Sequence, residues 1–295
     1  MGRLLGILIW GLFLWVAGPE YLIAHWEAAM VWFAALMLVP EGLLVLGLAP
    51  KLIWVGRIAG IMLPVAYLMP DAPALADVLM LLYVLFWVVI TAILIIDVEY
   101  PESIRLIQLV RCLCGVYGLT GAMWAFFAVT DIRPLGFEPV IIGLTAAHFL
   151  VAGFSMTTIV YAIMRQSAGW ATTVLGYGIF LGMPMVATGI VTTHFQGPVW
   201  IEAVGAVGFV LLCLLLVFTQ WNVAANRPSG WMLRLGSFCL LWGIGWAALY
   251  ALRFYWPIEQ VHIPNMKIWH GTVQALGFGF CSLLGWSRAG NVSED

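Results

Sequence analysis

An all-α bundle of about ten membrane-spanning helices, with both ends on the cytoplasmic side, is the fold class this sequence predicts. Hydrophobic residues make up 64% of the 295 and charged ones 9%, against about 25% charged in soluble domains. Apolar runs of roughly 20 residues, the length that crosses hydrocarbon at 1.5 Å per residue, follow one another with short breaks. Nine prolines (Pro19, Pro50, Pro70, Pro73, Pro101, Pro134, Pro198, Pro228 and Pro257) fall in or beside those breaks, where a missing N–H costs little.

Read in order, the spans lie near residues 3–18, 28–48, 52–69, 77–96, 104–128, 139–164, 171–193, 199–219, 231–252 and 266–286. The first begins like a secretory signal: Arg3 precedes the apolar run Leu4–Ala17, and small residues stand at Ala17 and Gly18. Pro19 directly after the would-be cut disfavours cleavage, so the segment reads as the first helix of one helical domain over 1–295. With the first residue inside, Arg3, Lys51, Arg57, Arg105, Arg111, Arg165, Arg227, Arg234 and Arg288 fall at or near cytoplasmic ends. Only Arg133, Arg253 and Lys267 fall outside, and that bias sets the orientation. The acids Asp97, Glu99 and Glu102 then face Arg105 and Arg111 in a solvated inner loop, while all five histidines lie in the outer half.

A net charge of −2 argues against a nucleic-acid partner. Cys112, Cys114, Cys213, Cys239 and Cys281 match no zinc or redox spacing and read as packing residues, not disulfides. The sequence has no Walker A, G-x-S-x-G, H-E-x-x-H or aspartate-rich diphosphate motif, so nucleotide-driven work, serine hydrolysis and prenyl transfer lack support.

Ionisable side chains inside hydrocarbon cost at least a few kcal/mol, and each asks for a reason. Glu41 follows Pro40 deep in the second span, where a proline break frees carbonyls beside a carboxyl. It reads as a neutral proton donor, as an ion ligand, or as a protonated cap on the break. His148, with Thr145 on the same face, stands in the sixth span; His270, with Gln274 one turn on, opens the tenth. Glu41, His148 and His270 are the candidate catalytic set, expected to face one interior cavity. Gln274, Thr145, Trp124, Trp242 and Trp246 are candidate substrate contacts, because mid-span aromatic residues such as these and Trp32 can line a cavity and stabilise cations. His194 and Glu202 flank a tight turn and read as a solvated surface pair, the alternative being a hydrogen bond between them.

The stretch Pro134-Leu135-Gly136-Phe137, followed by Leu144-Thr145-Ala146-Ala147-His148-Phe149 and Ala152-Gly153-Phe154, resembles the YndJ-like bacterial membrane proteins. His270-Gly271-Thr272-Val273-Gln274-Ala275-Leu276-Gly277-Phe278 is similar to a second element of that family. Leu150 stands where the family pattern has a second histidine, and Gln274 where it has asparagine. An H-x-H metal pair is therefore ruled out, and neither a metal nor a cofactor is expected. The resemblance implies a bacterial multi-helix membrane protein and assigns no activity.

Three functions remain open. A membrane-embedded enzyme would carry out acid–base isomerisation, cyclisation or elimination on an isoprenoid- or polyketide-like, lipid-soluble small molecule in a bacterial inner membrane. A small-solute transporter would use two inverted five-helix halves, with Pro40 and Pro184 at corresponding breaks. A non-catalytic role would be that of a lipid-binding or envelope partner protein, with membrane lipids among its partners.

Overall fold

The structure is a computed structural model that describes residues 2–97 and 105–290. Ten helical rods account for nearly all of them, with no strand among the described residues. They are α1 (Gly2–Ala24), α2 (Trp26–Val45), α3 (Pro50–Tyr67), α4 (Pro73–Ile96), α5 (Leu106–Val129), α6 (Pro139–Gln166), α7 (Trp170–His194), α8 (Val199–Ala224), α9 (Gly230–Ala251) and α10 (263–290). Among the described residues, all but α3 and α10 are long and apolar enough to cross a membrane. Large apolar side chains line their outer faces, among them Trp15, Ile23, Ile96, Trp170 and Leu181. A surface of that kind is stable only against lipid. The expected all-α polytopic bundle is thus the observed fold.

Local chemistry explains where the rods stop. Pro50, Pro73 and Pro139 occupy first-turn positions of α3, α4 and α6, where the absent N–H has no intrahelical partner to lose. α1 is broken at Gly18, whose φ of 75° and ψ of 163° suit only a residue without Cβ. The Pro134-Leu135-Gly136-Phe137 motif forms one 3₁₀ turn with Leu135 and Gly136 both at positive φ, and its buried Phe137 leads into α6.

Three rods contain π-helical stretches, at Ala34–Leu38, Phe149–Ser155 and Lys267–Gly279. The first has an evident cause. Pro40 offers no N–H, and its ring crowds the carbonyl four residues back, so the preceding turn widens. The widened turn presents the Ala35 carbonyl to α3, which meets it with Gly60; a Cβ there would lie 2.7 Å from the oxygen.

The rods group into two compact units, one of Met1–Ile104 and Arg111–Thr158, the other of Arg105–Val110 and Ile159–Asp295. In unit 1, α2 is buried along almost its whole length and is packed by α1, α3 and α6. In unit 2, α7, α8, α9 and α10 pack in sequence order. A buried glutamine ties three of these. Gln220 Nε2 donates towards Leu233 O, Ser237 Oγ and Ser282 Oγ at 3.0–3.1 Å, and Trp286 Nε1 donates to its Oε1 at 3.4 Å.

At the end of α4, Asp97 pairs with Arg111 of α5 at 2.7 Å; Glu99 and Glu102 lie outside the described residues. Glu202 is buried and paired with Arg253 at 2.7 Å, instead of forming the surface pair with His194 that the turn suggests. The guanidinium is stacked by Tyr250 and Phe254.

Candidate functional site

The structure places Glu41 and His148 in unit 1 and His270 in unit 2. Glu41 is almost wholly buried and is held by arginine. Arg3 Nε and Nη2 donate to its two carboxylate oxygens at 2.9 and 2.8 Å, and Arg57 Nη2 lies 3.9 Å away. Arg57 also donates to the Gly2 carbonyl at 2.8 Å, so one ionic cluster joins α1, α2 and α3. The reading of Glu41 as a neutral proton donor gives way here to a fork-shaped buried ion pair. The residue pair with depth-matched arginines was visible in principle: Arg3 opens α1, Arg57 stands two turns into α3, and Glu41 is low in α2.

His148 Nδ1 lies 2.7 Å from Leu144 O. A carbonyl only accepts, so Nδ1 carries the proton. Beyond it α6 presents buried Leu150, Val151 and Phe154, and the Phe154 ring abuts Gly42 beside Glu41. Six residues at 1.5 Å each put about 9 Å of α6 between His148 and that contact. The two groups share a unit but are separated along α6 by packed apolar side chains.

In unit 2, His270 Nδ1 is 2.8 Å from the Gly243 carbonyl, and Gln274 Nε2 is 3.4 Å from the Leu240 carbonyl. The π-helical stretch thus rests two polar side chains on carbonyls about one turn apart on α9, at a point where Gly243 leaves room for Gln274. Trp242 and Trp246 line an open, apolar groove of about 530 Å³ on α9 with Phe238, Leu241, Gly245 and Leu249. That groove is lipid-facing and contains neither His270 nor Gln274. Trp124, in unit 1, packs on Phe127 and Phe137, and Thr145 Oγ1 donates to Ile141 O.

A different set of groups converges in unit 1. Glu27, in the first turn of α2, is buried to 6% exposure, with His25 Nδ1 3.5 Å from its Oε1. Gly143 of α6 lies against its side chain; a Cβ there would meet Glu27 Cγ at 2.8 Å. Tyr21, carried just past the Gly18 break, stacks on Trp32 at 6.0 Å and lies 4.8 Å from the His25 ring. Tyr67 meets Trp32 edge-on at 6.0 Å. The Tyr67 hydroxyl is within electrostatic reach of the Tyr21 and Tyr83 hydroxyls and of the Glu27 carboxyl.

Four buried polar atoms on these helices have no hydrogen-bond partner among the described residues: Trp32 Nε1, Tyr67 Oη, Tyr83 Oη and Trp87 Nε1. Leaving such a group unmet costs about 1–3 kcal/mol each. Sequence reading picks out Trp32 alone of this set. Aromatic residues in a membrane span look like filler until three consecutive helices bring their polar tips into one core. Among the described residues, no three His, Cys, Asp or Glu side chains gather as a metal-binding set.

Among the described residues, eight helices long and apolar enough to span, lipid-type outer faces and an arginine-locked carboxyl in the core define an integral, multi-pass membrane protein. The YndJ-like protein family model matches residues 29–278, and the chain belongs to that family. The uncharacterized membrane protein YndJ of Bacillus subtilis (strain 168) is 27% identical over 179 residues, which cover 58% of this chain and 31% of the relative. The aligned stretch thus takes in less than a third of that relative's length. No solved structure matches the chain.

Proposed function

We propose that this protein is a bacterial inner-membrane enzyme whose own side chains carry out acid–base chemistry on a lipid-soluble small molecule, with the working groups in unit 1 around Glu27. One observation carries the reading: a buried carboxyl with a histidine 3.5 Å from it stands on an aromatic wall of Tyr21 and Trp32 that also carries Tyr67, whose buried hydroxyl has no partner among the described residues. A carboxylate removes a proton from carbon, and a phenol or imidazole returns one elsewhere, so an isomerisation balances with no other reactant. Glu27 takes the role of base, His25 links it to the outer surface, and Tyr67 is the acid or orienting donor. Glu41, with its arginine partners, holds α1 and α3 onto α2. His148, and His270 with Gln274, supply helix-to-carbonyl contacts.

The transporter reading has less behind it. α7 continues as one helix through Pro184, so the broken turn at Pro40 has no counterpart there. The compact units also divide the rods unevenly, not five against five.

The test compares apolar extracts of membranes from cells carrying the wild-type gene, a deletion and Glu27→Gln. Wild-type cells should contain a compound that both altered strains replace with an isomer of equal mass or a precursor heavier by one water. Identical extracts from all three strains would refute the proposal.

A further inference from the structure

We infer that unit 2 binds the headgroup of an anionic phospholipid where α8 stops, α9 starts and α10 stops, with Arg227 and Arg288 as the phosphate ligands. That end of the rods is the one expected to face the cytoplasm. The site lies in the other unit from Glu27 and does not depend on the acid–base reading.

Charge is divided unevenly along unit 2. Its acids among the described residues are Glu202, in the first turn of α8, and Glu259, in the turn after α9. The opposite end of the same rods carries Arg227, Arg234 and Arg288. Elsewhere Arg3, Arg111, Arg133 and Arg253 each pair with a carboxylate at 2.7–3.1 Å. The three arginines of this end have no carboxylate partner among the described residues and rest on soft surfaces instead. Arg227 lies over the Trp286 ring at 4.7 Å, Arg234 over the Trp221 ring at 5.6 Å, and Arg288 Nη1 lies 3.7 Å from Met232 Sδ. A guanidinium laid on a ring keeps its in-plane N–H groups free to donate, and a thioether is a weak acceptor. These donors therefore remain for oxygen ligands.

Two of the three are fixed in place. Ser229 Oγ donates to Gly285 O at 2.8 Å and ties the α8–α9 turn to α10. Arg227 stands two residues before Ser229 and Arg288 three after Gly285, so both spring from that one contact. Trp286 is buried, and its Nε1 donates to Gln220 Oε1, which locks the ring that carries Arg227. Met232, under Arg288, is held against α10, where a Cβ on Gly285 would lie 3.4 Å from the Met232 Cβ. Burial lowers the pKa of Arg227, a cost that an anion laid against the guanidinium would offset.

The surroundings name the anion. Trp221 and Trp231 are exposed beside these arginines, and exposed indoles at rod ends mark the level of the lipid headgroups. A phosphodiester there presents the oxygens that a guanidinium fork takes up. The ammonium of a zwitterionic headgroup would be repelled by the same cluster, so a lipid of net negative charge, such as phosphatidylglycerol, fits best.

Native mass spectrometry of the full chain in detergent micelles, titrated with phosphatidylglycerol or with phosphatidylcholine of the same acyl chains, measures the binding. One phosphatidylglycerol should bind saturably, at least about tenfold more tightly than phosphatidylcholine. Arg227→Gln and Arg288→Gln should each weaken phosphatidylglycerol binding about fivefold and leave phosphatidylcholine binding as it is. Arg227→Lys, which keeps the charge, should lose less than Arg227→Gln. Arg165→Gln, at the same end but over Tyr161 of α6, and Arg133→Gln, in the exposed pair with Asp131, change the net charge equally and should leave the affinity unchanged. Equal affinities for the two lipids, or equal losses in all four glutamine variants, would overturn the site. Displacement of the lipid by excess inorganic phosphate would overturn the lipid assignment in favour of a soluble phosphate. The comparison of lipids on the wild-type chain decides the matter even where a glutamine variant does not fold.

Discussion

Replacing Glu41 by glutamine keeps its shape and removes its charge, which separates an ion-pair role from a proton-donor role. The carboxyl is 1% exposed and takes two hydrogen bonds from Arg3, with Arg57 3.9 Å away. Removing one member of a buried pair costs about 3–5 kcal/mol, because the other charge stays behind. Arg3 keeps 34% of its side chain exposed, so water or headgroups recover part of that, and about 2–3 kcal/mol is the expected loss for Glu41→Gln. Arg3→Met should cost about 1–2 kcal/mol, and the double variant should lose about 1–2 kcal/mol less than the sum of the singles. Equilibrium unfolding of the purified protein in mixed micelles, with rising dodecyl sulfate, measures all three. Strictly additive losses, or a Glu41→Gln protein as stable as wild type that no longer changes the membrane extract, would show that Glu41 works as a chemical group and that the ionic cluster does not hold the helices.

Other consequences follow from the packing. Gln220→Leu should destabilise the protein by about 2–4 kcal/mol in the same assay, since it strips partners from Ser237, Ser282 and the Trp286 indole at once; Ser282→Ala, which removes one of them, should cost about 1 kcal/mol. Gly136→Ala should cost about 1–2 kcal/mol, because φ is 72° there, and the loss should appear as a lowered thermal midpoint. In a cysteine-free background, a cysteine at exposed Gln196 should react with an impermeant thiol reagent in intact cells and one at exposed Asn226 should not; the opposite pattern would invert the orientation. Elemental analysis of the purified protein should find no stoichiometric zinc or iron, and a stoichiometric metal would move the chemistry away from unaided acid–base steps.

The helices were legible because the membrane imposes one length and one polarity on every span. The observed α6, α7, α8 and α9 begin within one residue of their expected starts. Their ends drift more, as with α8, which continues to Ala224 because Gln220 is buried inside the bundle instead of marking its edge. Periodicity does not show the π-helical turns, since one extra residue in a turn leaves composition unchanged. Even so, Glu41, His148 and His270 each stand in or beside one of them. The cost of an ionisable group in lipid did lead to three locally unusual places. It did not show which neighbour meets each group. That depends on how far each helix is rotated about its axis, and a rotation of one residue exchanges an arginine for a leucine.

The same reasoning explains why Glu27 was passed over. At the first turn of α2, three residues past the end of a broken helix, it looks like an interfacial acid that headgroups would solvate. What buries it is tertiary: α6 brings Gly143 against its side chain, and Tyr21 folds back over Trp32 after the Gly18 break. A carboxylate sealed by a glycine on one side and faced by phenols and an indole on the other is costly to keep. The unmet Trp32 and Tyr67 tips on the adjoining helices add to that cost. Packing alone would favour phenylalanine at Trp32, Tyr67, Tyr83 and Trp87, where each N–H or hydroxyl is a liability in the absence of a partner. That Trp32 and Tyr67 carry two of these tips on the aromatic wall that also holds Tyr21 and His25 beside the buried carboxyl is the strongest reason to look for the ligand in unit 1.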